Sequence, residues 1–566
     1  MTDLDGGRLA AHVDEEAAVR AIRVDGYPVA DMIGLTVRDP DWREIPGQQL
    51  DRSVSADGAR VTDRRRFEVG TAIVEADWTV AVASNQLAVT ATLRSVAGTA
   101  LLNRGGLVVL HPLELVGRSV RLDGPDGSRT TVFPTDVDPW APFRAVRQLR
   151  FVVPSGSAVS LSFAGGLFET EDHRNWADAG WKSYSPPLAD PAPFRLEPGQ
   201  ENSHQVTLSV TPGHGVAAAT DEPLSLAIGQ PSAGRLPRIG WGAATELGQR
   251  ARASVHPSGF LHGELVDGPD ARRRLARLSA QAASLHLPLR LTLVAAGTDL
   301  PAWAEGLRQV GPLASVCLVD IVRHVASPRQ LAQLRQLLDG SGIEIAGGTR
   351  GYLAELLRGG DTDSGADRLQ LSVSSQVHHT DAELVLDTTR AFPYVVAELR
   401  RRAGRRPISI LPVTLAQRTT MHEAAALGDV PWPSRFAPDP RGEQAFGAAW
   451  AVAAIAGLAG ADEVGFGSLQ PGAGLARADG SATPAAHVLR ELASWAGSPL
   501  RVSTSSDPRR MAGLAVDLTG GPRVVLANLR PQPVRVVLAG VARGLIELEP
   551  YGVHIGTTEL EDGHDD

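Results

Sequence analysis

Between residues 235 and 500 the chain keeps repeating one pattern. A short apolar run is bounded by glycine, proline or aspartate, and in most cases a stretch with helical spacing follows. The runs are Arg238–Gly242, Gly259–Val266, Leu287–Ala295, Ser315–Val322, Ile343–Thr349, Arg368–His378, Pro407–Leu415 and Glu463–Leu469. Helices are expected over Asp270–Ser284, Pro328–Asp339, Asp381–Ala403, Arg441–Leu458 and Ala485–Ala496. Strands covered by helices on both faces read as continuous apolar runs rather than alternating ones. Eight of them, in a span near the usual ~250 residues, predict a (β/α)8 barrel. The alternative is an open doubly wound sheet. That fold carries a glycine-rich fingerprint after its first strand, and this chain has none there.

The period differs on either side. From about 21 to 234, short Val-, Leu- and Thr-rich runs such as Leu87–Leu93, Arg147–Val153 and His204–Val210 are separated by Gly, Pro, Asp and Asn. This spacing predicts a β-sandwich. Residues 1–20 are expected to be a flexible terminus. Residues 501–558 return to strands and predict a small β-domain, followed by an acidic tail over 559–566. One stretch breaks the pattern. Leu167–Phe194 has no clean period and is expected to be a long irregular loop, a kind that is usually functional or disordered, and its aromatic residues argue against disorder. It holds Glu169, Glu171, Asp172, His173, Arg174, Asn175, Trp176, Asp178, Trp181, Lys182 and Tyr184. Lys182 is the only lysine among 55 Lys plus Arg residues. Arginine replaces lysine wherever a surface cation suffices, so this one points to a task that needs a compact, tunable charge.

Composition limits the partners. A net charge of −9 gives no general attraction to nucleic acid or to an anionic membrane. No run approaches the roughly 20 apolar residues that span a bilayer. The first residues lack the apolar segment of a signal peptide, and the single cysteine, Cys317, permits no internal disulfide. A cytoplasmic location is expected.

Barrel enzymes work at the C-terminal ends of their strands. Strand 2 carries Glu264 and Asp267, strand 4 ends in Asp320, and Arg350 follows strand 5. The richest end is that of strand 6, with Ser374, Ser375, Gln376, His378 and His379. Thr414 ends strand 7. Strand alternation is expected to turn Gln376 and His378 to the same side. Retaining glycosidases need two close carboxylates, and in many barrels these are glutamates ending strands 4 and 7. Neither end has one. No His-x-His or Cys-x-x-Cys spacing and no Gly-x-Ser-x-Gly elbow is present. Neither a metal nor another cofactor is expected.

The stretch Phe168-Glu-Thr-Glu-Asp-His-Arg-Asn-Trp-Ala-Asp-Ala179, followed by Lys182 and Tyr184, resembles the signature of bacterial D-apionate lactonases. So do Asn103–Leu107, Val109–Leu113, Trp140–Phe143, Gly347-Gly348-Thr349, Gln376-Val377-His378, Asp381 and Pro412–Leu415. Two strand ends depart from the family pattern. Arg350 stands where an acidic residue is usual, and Phe466–Gln470 stands in place of a Glu-Thr-Thr-Gly-like segment. The resemblance implies a sandwich, a barrel and a β-tail. It also implies a hydrolase that opens a sugar-acid lactone in carbohydrate breakdown, with that small lactone as its partner. Such chemistry needs a base, a cation and hydroxyl-binding groups. Glu169, Glu171, Asp172, Lys182 and His378 are the candidate catalytic residues. Arg174, Asn175, Trp176, Asp178, Tyr184, Gln376 and Thr414 are the candidate substrate-binding residues. Two other classes remain in play: a glycoside hydrolase, and a carbohydrate-binding protein without turnover. A structural reading of the cluster also stands, as a salt-bridged clamp.

Overall fold

The computed structural model describes residues 2–215, 223–417, 438–540 and 545–557. The chain forms two compact units. One comprises Met1–His173 and Gly180–Glu222, the other Arg174–Ala179 and Pro223–Asp566.

The first unit is a β-sandwich. Its eight-stranded sheet runs in the order Thr2–Asp5, Leu9–Val13, Ala18–Val24, Tyr27–Arg38, Arg104–His111, Trp181–Tyr184, Phe168–Asp172, Phe143–Val146. A nine-stranded sheet, with Glu201–Thr211 at its centre, supplies the second layer. Strands such as Ala72–Ala83 bury alternate residues, as a sheet with one face on a core must. Trp78, Phe133, Phe143, Leu161 and Trp181 fill the space between the layers. Phe133 meets Trp181 at 4.9 Å and Phe143 edge-on at 5.2 Å.

Two expectations need correction here. The first twenty residues are not a flexible terminus: Leu4, Leu9, Ala11 and Val13 alternate into the core, while Asp3 and Asp5 stay exposed. The alternation is legible only over three or four residues, too short to outweigh the acidic composition. Leu167–Phe194 is not one irregular loop either. Phe168–Asp172 and Trp181–Tyr184 form an antiparallel ladder, with Glu169 opposite Tyr184 and Glu171 opposite Lys182. All five residues of Phe168–Asp172 are buried. A strand buried on both faces, yet built partly of carboxylates, carries no polar-apolar alternation.

The second unit contains the barrel. Its strands are Arg238–Gly242, Phe260–Val266, Leu289–Ala295, Leu313–Asp320, Glu344–Gly348, Arg368–Ser374, Ile408–Thr414 and Glu463–Phe466. They close in chain order, the first pairing in parallel with the last. The floor of the barrel is ionic. Arg290 pairs with Glu463 at 2.6 Å, and Arg368 reaches Glu463 at 2.5 Å and Glu344 at 2.9 Å. Burial alone would raise the Glu463 pKa, but Arg368 and Arg290 outweigh it and hold the carboxyl below its usual range.

A seven-stranded sheet completes this unit, and here too an expectation changes. Leu224–Arg235, expected to end the sandwich, belongs to this C-terminal sheet. It lies between Val534–Ala539, its parallel neighbour, and Pro499–Ser505. Local sequence reveals that a segment is a strand, not which sheet receives it. The acidic tail, 559–566, lies outside the described residues. Among the described residues no helix is long and apolar enough to cross a membrane.

Candidate active site

The sequence-predicted residues fall into two groups, one in each unit. In the sandwich, the ladder turns Glu169, Glu171, Lys182 and Tyr184 to one face. The Tyr184 hydroxyl donates to Glu169 at 3.0 Å and to Glu171 at 3.4 Å. Burial, then the two carboxylates, raises the Tyr184 pKa, so the phenol stays protonated and remains a donor. Glu169 also accepts the Leu188 amide at 2.7 Å. The Lys182 ammonium lies 5.9 Å from the centre of the Tyr184 ring, and the Arg104 guanidinium 5.3 Å. His173 Nε2 stands 4.0 Å from Glu171. The opposite face is structural: Ser183 joins Thr170 at 2.8 Å and His111 at 2.7 Å. Asp172 accepts the Asp138 amide at 3.0 Å and so pins the loop that leads to Trp140.

Between the two strands the chain leaves the sandwich. Residues 174–179 belong to the barrel unit, and Gly180 takes up the sandwich again. Gly180 has φ +88, and a Cβ there would stand 1.9 Å from the His111 carbonyl oxygen, so only glycine can make this return. The excursion brings Asp178 to His378, past the end of strand 6. Asp178 Oδ2 and His378 Nδ1 are 2.5 Å apart, and both side chains are largely buried. Trp176 meets the His378 ring edge-on at 5.9 Å and the Tyr352 ring at 6.1 Å. The Arg358 guanidinium covers Trp176 at 5.5 Å, and Arg174 lies 4.8 Å from the centre of the Tyr394 ring. Arg174 and Asn175 are fully buried. A carboxylate on Nδ1 fixes the imidazole tautomer.

The strand alternation expected to turn Gln376 and His378 to the same side does not reach them. Strand 6 ends at Ser374, and the chain beyond it is irregular. Gln376 turns instead to Asp439, 2.5 Å away, which Arg441 also holds. Thr414 donates to the Ala416 carbonyl at 2.9 Å. It lines a cleft at the ends of strands 7 and 8, bounded also by Leu415, Asp439, Trp450 and Phe466. Strand 4 ends in Asp320 and strand 7 in Thr414, so the strand count behind the missing glutamate pair holds.

Sequence reading missed Tyr352, Arg358 and Asp439 as site residues. Tyr352 follows Arg350 by two positions, so a search extended past the end of strand 5 would have found it. Nothing in the sequence pairs Arg358 with Trp176. A further feature crosses the barrel: Arg350 Nη2 meets Glu264 Oε1 at 2.7 Å.

Comparisons with known proteins agree with the three-part fold. The model of the N-terminal domain of D-apionate lactonases matches residues 1–213. The model of their TIM barrel domain matches 254–497, and that of their C-terminal immunoglobulin-like domain matches 508–555. A D-apionate lactonase of Brucella anthropi is 28% identical over an alignment 608 positions long, covering 98% of this chain and 96% of the relative. Among solved structures, CelM2, a bifunctional glucanase-xylanase from a metagenome library, is 8% identical with a TM-score of 0.40. That match covers 59% of this chain and 99% of that one. A GH30 endoxylanase from Clostridium papyrosolvens C71 is 10% identical, also with a TM-score of 0.40, over 59% and 100%.

Proposed function

Because the chain belongs to the D-apionate lactonase family, we propose that it hydrolyses the lactone of a sugar acid, D-apionolactone or one like it, to the free acid in carbohydrate breakdown. The observation that carries the reading is the hydrogen bond between Asp178 and His378 at the C-terminal end of a barrel strand. His378 Nε2 takes a proton from water as the water oxygen adds to the lactone carbonyl carbon. The tetrahedral intermediate then collapses, the ring C–O bond breaks, and the leaving alkoxide takes the proton back from His378. Asp178 keeps the imidazole oriented and stabilises it while it is charged. Trp176 supplies an apolar wall, and Arg174 and Asn175 fix the segment that bears it. Glu169, Glu171, Lys182 and Tyr184 form a second polar cluster, with donors and acceptors suited to sugar hydroxyls.

A pH-stat assay over branched and unbranched aldonolactones tests this. Wild-type protein is expected to release acid from at least one of them, and His378→Gln from none at a comparable rate. No acid from any lactone would overturn the reading, and free sugar released from a glycoside would replace it with glycosidase chemistry. Turnover that a chelator abolishes and a divalent cation restores would make Asp178 and His378 metal ligands rather than a base pair.

A further inference from the structure

We propose that Arg350, braced by Glu264 across the mouth of the barrel, binds the lactone carbonyl oxygen and, after ring opening, the carboxylate of the product. This rests on the lactonase reading above.

The pair joins strands that are not neighbours. Glu264 lies on strand 2 and Arg350 just past strand 5, with strands 3 and 4 between them in the closed order. A 2.7 Å contact between them therefore spans the interior. What lies beneath is already filled. Arg290, Arg368 and Glu463 form the lowest layer, and above it Gln370 of strand 6 donates to Thr292 of strand 3 at 2.7 Å. The Thr349 amide donates to the Gln370 carbonyl, and the Ser372 hydroxyl donates to the Arg350 carbonyl. The Arg350 backbone is thus one layer above that of Gln370, nearer the C-terminal ends of the strands. The Arg350 side chain keeps 9% of its exposure and that of Glu264 keeps 6%, so the pair is nearly, not wholly, buried.

Position links the pair to the proposed base. Tyr352, two residues beyond Arg350, lies against Trp176, and Trp176 lies against His378. Chemistry favours the same assignment. A buried ion pair adds little net stability by itself, and the ionic layer below already closes the barrel. Glu264 cancels the charge, which lets a neutral lactone enter. The guanidinium still offers a planar fork of donors to an oxygen that gains negative charge. Burial, then Arg350, lowers the pKa of nearby His324. In the reaction the carbonyl π pair moves onto the oxygen that faces Arg350 as water adds. When the ring oxygen departs, that oxygen remains as half of the product carboxylate.

The experiment compares wild type with Arg350→Gln, Arg350→Lys and Glu264→Gln. It measures kcat and KM on the best lactone, and calorimetric binding of the corresponding sodium aldonates and of neutral alditols. Arg350→Gln is expected to lower kcat about 100-fold with little change in KM, and to weaken aldonate binding at least tenfold while alditol binding is kept. Arg350→Lys should fall between. A variant that only melts earlier, with kcat and aldonate affinity intact, would overturn the proposal. If Arg350→Gln does not fold, Glu264→Gln decides: a tenfold or greater fall in kcat supports the proposal, and an unchanged kcat overturns it. Wild type that opens no lactone yet binds aldonates through Arg350 would overturn the lactonase reading alone.

Discussion

Asp178 and His378 stand 200 residues apart in the chain and 2.5 Å apart in the fold. The aspartate comes from a six-residue excursion and the histidine from the end of a barrel strand. If this pair is the base, Asp178→Asn keeps the shape and loses the carboxylate. We expect kcat to fall by about 10²- to 10⁴-fold, with KM changed far less. A melting curve close to that of wild type, measured beside the kinetics, separates loss of the base from loss of the fold.

Trp176 touches both His378 and Tyr352 and is itself covered by Arg358. Trp176→Ala removes the apolar wall beside the proposed base. The expected outcome is a rise in KM of about tenfold, near 1.4 kcal/mol of binding. Trp176→Phe keeps an aromatic face and should recover most of it. Initial rates over a range of lactone concentrations provide the check.

The ionic floor of the barrel makes the opposite prediction. Glu463→Gln removes the buried carboxylate that Arg290 and Arg368 share and leaves them the half-exposed Glu344. Breaking such a cluster costs about 3–5 kcal/mol. Urea unfolding of the second unit should show this loss, while KM stays near the wild-type value. A large change in KM with unchanged stability would contradict the assignment of this layer to structure.

Two buried histidines set an acid limit for the sandwich. Burial lowers the His111 pKa to about 3 and that of His204 to about 4, from 6.5. The unfolded chain protonates these rings below pH 6.5, while the folded chain does not until pH 4 or lower. The unfolded state therefore binds more protons in this window, and the stability present above pH 6.5 is lost as the pH falls. Each ring contributes a slope approaching ~1.4 kcal/mol per pH unit. Urea midpoints measured from pH 7 down to pH 4.5 should fall steadily, and less steeply in His204→Gln. Gly106 has φ +145, and its missing side chain makes room for the His204 ring: a Cβ there would lie 1.9 Å from Nδ1. Gly106→Ala should destabilise the same unit at every pH.

The barrel is the most legible part of the chain, because each of its strands overlaps a short run, rich in apolar residues and bounded by turn residues, that the sequence shows. His378 was legible for the same reason: it lies where a strand run ends among polar residues. Its partner was not. Asp178 reads in the sequence as one carboxylate among several, and only the return at Gly180 and the burial of Arg174 single it out. Glu169 and Glu171 were found by composition, but their ladder with Lys182 and Tyr184 was hidden because both faces are buried. Glu264 and Arg350 were each visible at a strand end. That they meet depends on strand order around the closed barrel, a property no local window contains.

The strand Leu224–Arg235 imposes an order on synthesis. It emerges before the first barrel strand, and its parallel neighbour, Val534–Ala539, follows about three hundred residues later, on the order of tens of seconds of translation. Leu224, Leu226 and Ile228, buried in the finished sheet, must wait through the making of the entire barrel before that partner exists. A nascent chain of this protein thus carries an open, hydrophobic strand edge for most of its synthesis, and a gene cut anywhere before residue 534 would leave that edge open for good.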